Sequence, residues 1–198
     1  MKRSLFLLIA LIVLAATASA STTLQNLQTA YNGESNAHAR YLAFALKAEQ
    51  EHLPQAAALF RAAARAEEIH AANHAVVIKK MGGTPEAKIE KPEIKTTADN
   101  LQAAIKGETY ERDVMYPEFI KQARAERNRD ALETFNFAKT AEAEHARLYT
   151  ETSKDPAKQK AAGVKYYVCT ICGYTTTKID FEKCPSCFNP KDKYVAVS

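Results

Sequence analysis

Glu67-Glu68-Ile69-His70-Ala71 and Glu142-Ala143-Glu144-His145-Ala146 carry one spacing, Glu-x-x-His, 75 positions apart. A carboxylate and an imidazole three residues apart on a helix lie on the same side, where both can reach one metal ion. Taken alone, either copy is an ordinary solvated helix face. A second repeat changes that balance. Asn26-Leu27-Gln28-Thr29-Ala30-Tyr31-Asn32-Gly33-Glu34 returns as Asn100-Leu101-Gln102-Ala103-Ala104-Ile105-Lys106-Gly107-Glu108, shifted by 74. Two helix pairs with one internal order imply a pseudo-two-fold bundle around a shared centre.

From Ser21 to Thr152 the chain is rich in Ala, Leu, Glu, Lys and Arg, with apolar residues every three or four positions, which argues for long amphipathic helices. The pattern predicts helices over 22–50, 53–81, 97–126 and 128–152. Pro54 suits a helix start, Gly82-Gly83-Thr84-Pro85 a stop, and Pro117 predicts a kink or break inside the third helix. A short turn, a long connection over 82–96 and another short turn describe an all-α four-helix bundle of ferritin-like form with one crossover.

Helical spacing puts Leu27, Ala30, Glu34, Ala37 and Tyr41 on one face, and Phe60, Ala63, Glu67, His70, His74 and Val77 on the next. The third helix offers Leu101, Ala104, Glu108, Glu111, Met115 and Phe119; the fourth offers Phe135, Ala138, Glu142, His145 and Tyr149. Each helix thus points an ionisable side chain into a dry interior. A lone buried carboxylate costs several kcal/mol or gives up its charge; the same feature on four helices requires cations. One Glu on each of two helices plus Glu-x-x-His on each of two others is the carboxylate-bridged two-metal arrangement, and so oxygen-rich a ligand set suits iron or manganese. Glu111 breaks the repeat, since its counterpart is Ala37. Glu108 and Glu111 are expected to address the metal served by Glu67 and His70. Tyr41 and Tyr116 read equally as core aromatics or as hydrogen-bond donors beside the metals. His38 and His52 read as surface residues; His74, one turn beyond His70, reads more readily as an ordinary residue of its helix face than as one orienting the ligands from behind.

All four cysteines fall late, as Cys169-Thr170-Ile171-Cys172 and Cys184-Pro185-Ser186-Cys187. Two C-x-x-C pairs have metal-ligand spacing and predict an all-thiolate tetrahedral site, for zinc or iron, rather than disulfides. The segment is too small to bury a core of its own, so a metal is expected to hold it. Residues 153–164 read as a polar linker between a bundle over 21–152 and this module over 165–198, in which Lys165-Tyr166-Tyr167-Val168 predicts a strand.

Cys169-Thr-Ile-Cys172-Gly173-Tyr174 and Cys184-Pro-Ser-Cys187 resemble the two knuckles of rubredoxin, which holds one redox-active iron. With Gly33-Glu34, Glu67-x-x-His70, Gly107-Glu108-x-x-Glu111, Met115-Tyr116-Pro117 and Glu142-x-x-His145, the chain over 21–198 resembles rubrerythrin. That resemblance implies a two-iron peroxidase reducing hydrogen peroxide to water, with electrons from an unidentified donor protein relayed through the thiolate-bound iron. It also implies a homodimer in which the thiolate-bound iron of one subunit serves the two-iron centre of the other, and an exchange of His70 for Glu111 at one iron on oxidation. Phe188 departs from the pattern, standing where the knuckle often has Gly. Two rival readings stay open: oxidation of ferrous iron by dioxygen, and a non-enzymatic metal-binding stress protein with zinc on the cysteines.

Lys2-Arg3, the apolar run Leu5 to Leu14 and Ala18-Ser19-Ala20 read as a signal peptide over 1–20, too short for a comfortable membrane span. The expectation is export to the periplasm or another extracytoplasmic space, cleaved near Ala20; an uncleaved anchor is the rival. A net charge of +4 is too small to imply nucleic acid as partner.

Overall fold

The structure, a computed structural model, describes residues 22–198. The expected signal peptide lies outside the described residues. No helix among those described is long and apolar enough to cross a membrane.

Four long helical arms follow the apolar periodicity: α1 (Thr23–Gln50), α2 (Pro54–Lys80), an arm made of α3 (Thr97–Tyr110) and α4 (Tyr116–Ala125), and α5 (Arg129–Lys154). Their starts are chemically marked. Thr22 and Gln25 form a capping box, Thr96 accepts from the Asp99 amide, Asn128 accepts from the Ala131 amide, and Pro54 occupies the first turn of α2. The α1–α2 turn passes through exposed His52 in the left-handed region, at φ 57°.

Two apolar clusters fill the bundle, one around Tyr41, Phe44, Phe60, Leu101 and Tyr149, the other around Leu27, Ile78, Tyr116, Ile120 and Phe135. Every arm runs from one cluster to the other and carries its ionisable residues between them. By that order, α1 and α5 run one way, and α2 and the α3–α4 arm run the other, as the single crossover demands.

That crossover is extended and mostly exposed, and α1 holds it with side-chain amides. Gln28, Asn32 and Asn36 stand one helical turn apart. Gln28 donates to the Thr84 carbonyl at 2.5 Å and Asn36 to the Lys88 carbonyl at 2.9 Å. In return Asn32 accepts from the Lys88 amide and Asn36 from the Glu90 amide, both at 2.8 Å.

The expected break in the third arm is a π turn over Glu111–Met115, in which the Tyr116 amide donates to the Glu111 carbonyl. Pro117 follows at once and lacks the N–H an unbroken helix would need. A π turn is one residue inserted into a helix. The two halves record that insertion: Glu34 and Glu108 are offset by 74, Tyr41 and Tyr116 by 75. The half with the extra residue also carries the extra carboxylate, Glu111.

After a short turn, α6 (Pro156–Gln159), inside the stretch expected to be a linker, the chain forms a three-stranded antiparallel sheet of β1 (Tyr166–Cys169), β2 (Thr175–Thr176) and β3 (Tyr194–Val197), in the order β2-β1-β3. The sheet does not stand apart from the bundle. Tyr166 and Val168 are buried in the same cluster as Leu59 and Phe60, so the bundle supplies the apolar support that the module's size denies it.

Candidate metal centres

Glu34, Glu67, His70, Glu108, Glu142 and His145 are each at most 1% exposed. Their ligand atoms form two groups, each spanning no more than 4.8 Å: Glu34, Glu67, His70 and Glu142, and Glu67, Glu108, Glu142 and His145. Glu67 and Glu142 belong to both groups and are placed to bridge. Glu34 and His70 complete one side, Glu108 and His145 the other. The expectation that Glu108 addresses the metal of Glu67 and His70 is corrected in part, because Glu108 joins the His145 side. Glu111, buried on the π turn, lies outside both groups.

The histidines show that these groups fit cations. His70 Nε2 lies 3.1 Å from the Cys172 carbonyl, an acceptor only, so Nε2 carries the hydrogen. In the neutral ring Nδ1 is then a bare lone pair, yet it faces Glu67 Oε2 at 2.9 Å and Glu142 Oε1 at 3.1 Å. His145 repeats the pattern. Its Nε2 lies 3.0 Å from Thr175 Oγ1, whose hydroxyl donates to the Gly173 carbonyl, so Nε2 is again the donor. His145 Nδ1 faces Glu142 at 2.9 Å and Glu108 at 3.5 Å. Lone pairs and carboxylate oxygens converge in this way only around positive charge. Among the described residues, Glu34 Oε2, Glu67 Oε1, Glu108 Oε2, both Glu142 oxygens and His145 Nδ1 have no hydrogen-bond partner, a costly state for buried acceptors and the normal one for metal ligands.

Electrostatics agree. Burial pushes Glu67, Glu111 and Glu142 well above the ordinary carboxylate range, and neighbouring carboxylates push them further, with His70 pulling Glu142 back. Glu34 is the exception: burial raises it, but His74, His70 and Tyr116 outweigh burial and carry it down to about 2.

Tyr41 and Tyr116 resolve as donors, each crossing to the other half of the repeat. The Tyr41 hydroxyl donates to Glu108 Oε1 at 2.6 Å, and the Tyr116 hydroxyl donates to Glu34 Oε1. Each leaves the other oxygen of its carboxylate free for a metal. His74 stands behind Tyr116, with Nε2 3.1 Å from the hydroxyl and Nδ1 2.9 Å from Thr134 Oγ1. His38 is not the surface residue expected: it is half-buried, its Nδ1 2.7 Å from the Ala64 carbonyl, linking α1 to α2. Sequence reasoning missed Thr134 and Thr175, which no spacing announces.

The four cysteines are free thiols gathered within 4.8 Å of one another. Cys169 Sγ lies 3.7 Å from Cys187 Sγ, and Cys172 Sγ 3.6 Å from Cys184 Sγ. A tetrahedron with metal–sulfur bonds of about 2.3 Å has edges near 3.8 Å, so the site fits a single ion. Tyr194 donates to Cys184 Sγ at 3.1 Å. Phe188 takes a left-handed conformation, φ 58°, and its amide donates to the Cys184 carbonyl at 3.0 Å. Its ring turns out to solvent, and the position carries a backbone strain that Gly would not.

The module sits directly on the bundle's ligands. Besides Cys172 to His70 and Thr175 to His145, Asn73 donates to the Ile171 carbonyl at 2.9 Å. A ligand of the thiolate site is therefore one hydrogen bond from a ligand of the carboxylate site, within one chain.

Comparison with known proteins agrees with this geometry. Residues 25–153 match the family model described as Rubrerythrin. Nigerythrin of Nitratidesulfovibrio vulgaris is 40% identical over 176 residues, 88% of this chain and 86% of that protein. Rubrerythrin-2 of Clostridium acetobutylicum is 37% identical over 183 residues, 86% of this chain and 94% of its own length. A solved structure of fully reduced, all-ferrous nigerythrin superposes with a TM-score of 0.83 at 38% identity, covering 93% of this chain and 91% of that one. A Mycobacterium tuberculosis bacterioferritin, 19% identical with a TM-score of 0.62 over 67% of this chain and 84% of its own, shares the fold.

Proposed function

The chain belongs to the rubrerythrin family, and from that premise we propose that it is a two-iron oxidoreductase of oxidative-stress defence that reduces hydrogen peroxide to water. The family's cofactors are the ones the residues fit: two irons held by Glu34, Glu67, Glu108, Glu142, His70 and His145, and one on Cys169, Cys172, Cys184 and Cys187. The overall change is H2O2 + 2 H⁺ + 2 e⁻ → 2 H2O. Two ferrous ions supply Lewis acidity and the two electrons. The protein's part is to fix the two sides of the site through Glu67 and Glu142, to hold each imidazole with Nδ1 inward, and to keep bulk water out between two apolar clusters.

One observation carries the reading. The hydrogen bond from His70 Nε2 to the Cys172 carbonyl joins an electron-transfer site to an oxidant site, and a peroxidase needs that join. A ferroxidase fed by ferrous iron does not. A homodimer is proposed as well, as the resemblance implies; a solution mass of one subunit would refute it. An unidentified donor protein is proposed to reduce the thiolate-bound iron.

Because Tyr166 and Val168 fill the bundle core, removing 165–198 would damage both sites, and point substitution is the cleaner test. Donor-driven peroxide turnover by the iron-loaded chain should stop in Cys172→Ser and Glu34→Ala, while Cys172→Ser still reacts once with peroxide when reduced chemically. Wild-type turnover no faster than that of Glu34→Ala would overturn the reading, and a colourless protein with zinc on its cysteines would overturn the relay. We propose also that the chain is exported and cleaved after Ala20; a mature protein that does not begin at Ser21 would refute this.

A further inference from the structure

Peroxide reduction consumes two protons for each peroxide, and the site described above is closed to bulk water. We propose that Thr134, His74 and Tyr116 form a proton-conducting line from the protein surface to the carboxylate of Glu34, with His74 and Thr134 as positioning residues acting through Tyr116.

Hydrogen-bond chemistry fixes the direction of this line. The Glu34 carboxylate only accepts, so the Tyr116 hydroxyl donates to it. The Tyr116 oxygen then accepts from His74 Nε2–H at 3.1 Å. In the neutral ring Nδ1 is bare, so it accepts from the Thr134 hydroxyl at 2.9 Å. Every donor points inward. A proton taken up at Thr134 can be handed on by shifting each hydrogen one bond toward Glu34, and no side chain need turn before the first transfer.

Both ends of the line are suitable. His74 is fully buried and Thr134 is 5% exposed. Thr134 lines a groove of about 150 Å³ with Asn73, Val77, Lys80, Asp130 and Glu133, wide enough for water and edged with charge. At the inner end, Glu34 Oε1 holds Tyr116 while Oε2 is left for the metal.

Among the described residues, the other half of the repeat has no such line. The Tyr41 hydroxyl reaches Glu108, but behind it stand the rings of Phe44, Phe60 and Tyr149, and the Tyr149 hydroxyl has no hydrogen-bond partner among the described residues. The residue matching His74 in the repeat is Tyr149 itself, on α5. One half thus ends in a dry aromatic cluster and the other in a polar line, which assigns proton supply to the Glu34 side.

The inference rests on the peroxide reading for the fate of the protons, and the test separates the two. Thr134→Val keeps the shape and removes the hydroxyl; Thr134→Ser keeps the hydroxyl. A positioned proton donor contributes about 10²–10⁴-fold, and water in the vacated place would recover part of that. In the iron-loaded, chemically reduced chain, Thr134→Val should therefore react with peroxide roughly tenfold slower at saturation. Its KM should be unchanged and its solvent isotope effect larger, with Thr134→Ser close to wild type. Independently of activity, nitrogen NMR of the zinc-loaded full chain should show His74 bare at Nδ1, with a slowly exchanging hydrogen on Nε2. A hydrogen on Nδ1, or a Thr134→Val chain with wild-type rate and isotope effect, would overturn the line. A wild-type chain inert to peroxide would overturn the activity, and the line would then stand or fall on the nitrogen spectrum.

Discussion

A β carbon on Gly173 would stand 2.2 Å from Nε2 of His70. No side chain fits there, and the backbone at Gly173, φ 77°, lies in the region that L residues avoid. Both constraints serve one end: they bring the Cys172 carbonyl to the imidazole and so fix which nitrogen of His70 faces the carboxylates. Gly173→Ala should cost about 1–2 kcal/mol in backbone strain alone and push the module off His70. The thiolate-bound iron should survive, because all four cysteines remain. Electron transfer from that iron to the carboxylate site, followed by stopped flow, should slow severalfold, because the hydrogen bond that links the two sites is lost and the gap between them widens. Transfer at the wild-type rate would mean that His70 and Cys172 are not the route.

Removing the metals should reverse the pH dependence of stability. Glu67, Glu111 and Glu142 are raised from 4.5, first by burial. Between the ordinary and the raised values the folded chain binds more protons than the unfolded one, so stability falls as pH rises. It is fullest below the ordinary range and is lost as pH climbs through the raised values. Glu34, lowered to about 2, is ionised in both states across that window and adds no slope. The metal-free chain should therefore resist urea better at about pH 5 than at about pH 8. The iron-loaded chain should show the opposite trend, because protons compete with the cations for the same oxygens. A metal-free urea midpoint that rises with pH would contradict the convergence of these carboxylates.

How much of this was legible in the residues depends on whether a feature repeats. Glu34, Glu67, His70, Glu108, Glu142 and His145 were readable because each recurs at a fixed offset and interrupts an apolar stripe. The π turn was also written there, in the slip from 74 to 75 between Glu108 and Tyr116, but a one-residue slip is noticed only once the extra residue has a place to go. The shared membership of Glu67 and Glu142, and the grouping of Glu108 with His145, depend on how four helices turn about their axes, which periodicity leaves free. Thr134 and Thr175 lie further from reach. A threonine on a helix face or at a strand start has no signature until the histidine it meets, 60 or 30 residues away, is placed beside it.

Phe188 offers a gain in stability. It holds a left-handed backbone, and its ring is 71% exposed, so the strain is not repaid by burial. A residue with a β carbon gives up about 1–2 kcal/mol in that conformation relative to Gly. Phe188→Gly should therefore stabilise the four-cysteine module by about 1 kcal/mol, seen as slower loss of thiolate-bound iron in guanidinium at unchanged iron content. A faster loss would show that the ring supports the knuckle in a way its exposure conceals.

The crossover between the two halves supplies the last test, because side-chain amides of α1 tie its middle down. Asn36 makes two of the ties, to the Lys88 carbonyl at 2.9 Å and from the Glu90 amide at 2.8 Å, and both are exposed to solvent. A typical hydrogen bond adds about 0.5–1.5 kcal/mol net, and exposed groups regain water when released. Asn36→Ala should thus lower global stability by about 1 kcal/mol or less, far below the cost of losing a buried ligand. Its local effect should be much larger. Released from Asn36, the segment around Lys88 to Lys91 should exchange its amide hydrogens faster and become open to cleavage by trypsin after Lys88. Iron content should not change, because Glu34 lies between the two clusters, on the face of α1 turned away from the crossover. Loss of iron in Asn36→Ala would mean that the strap sets the rotation of α1, and with it the aim of Glu34.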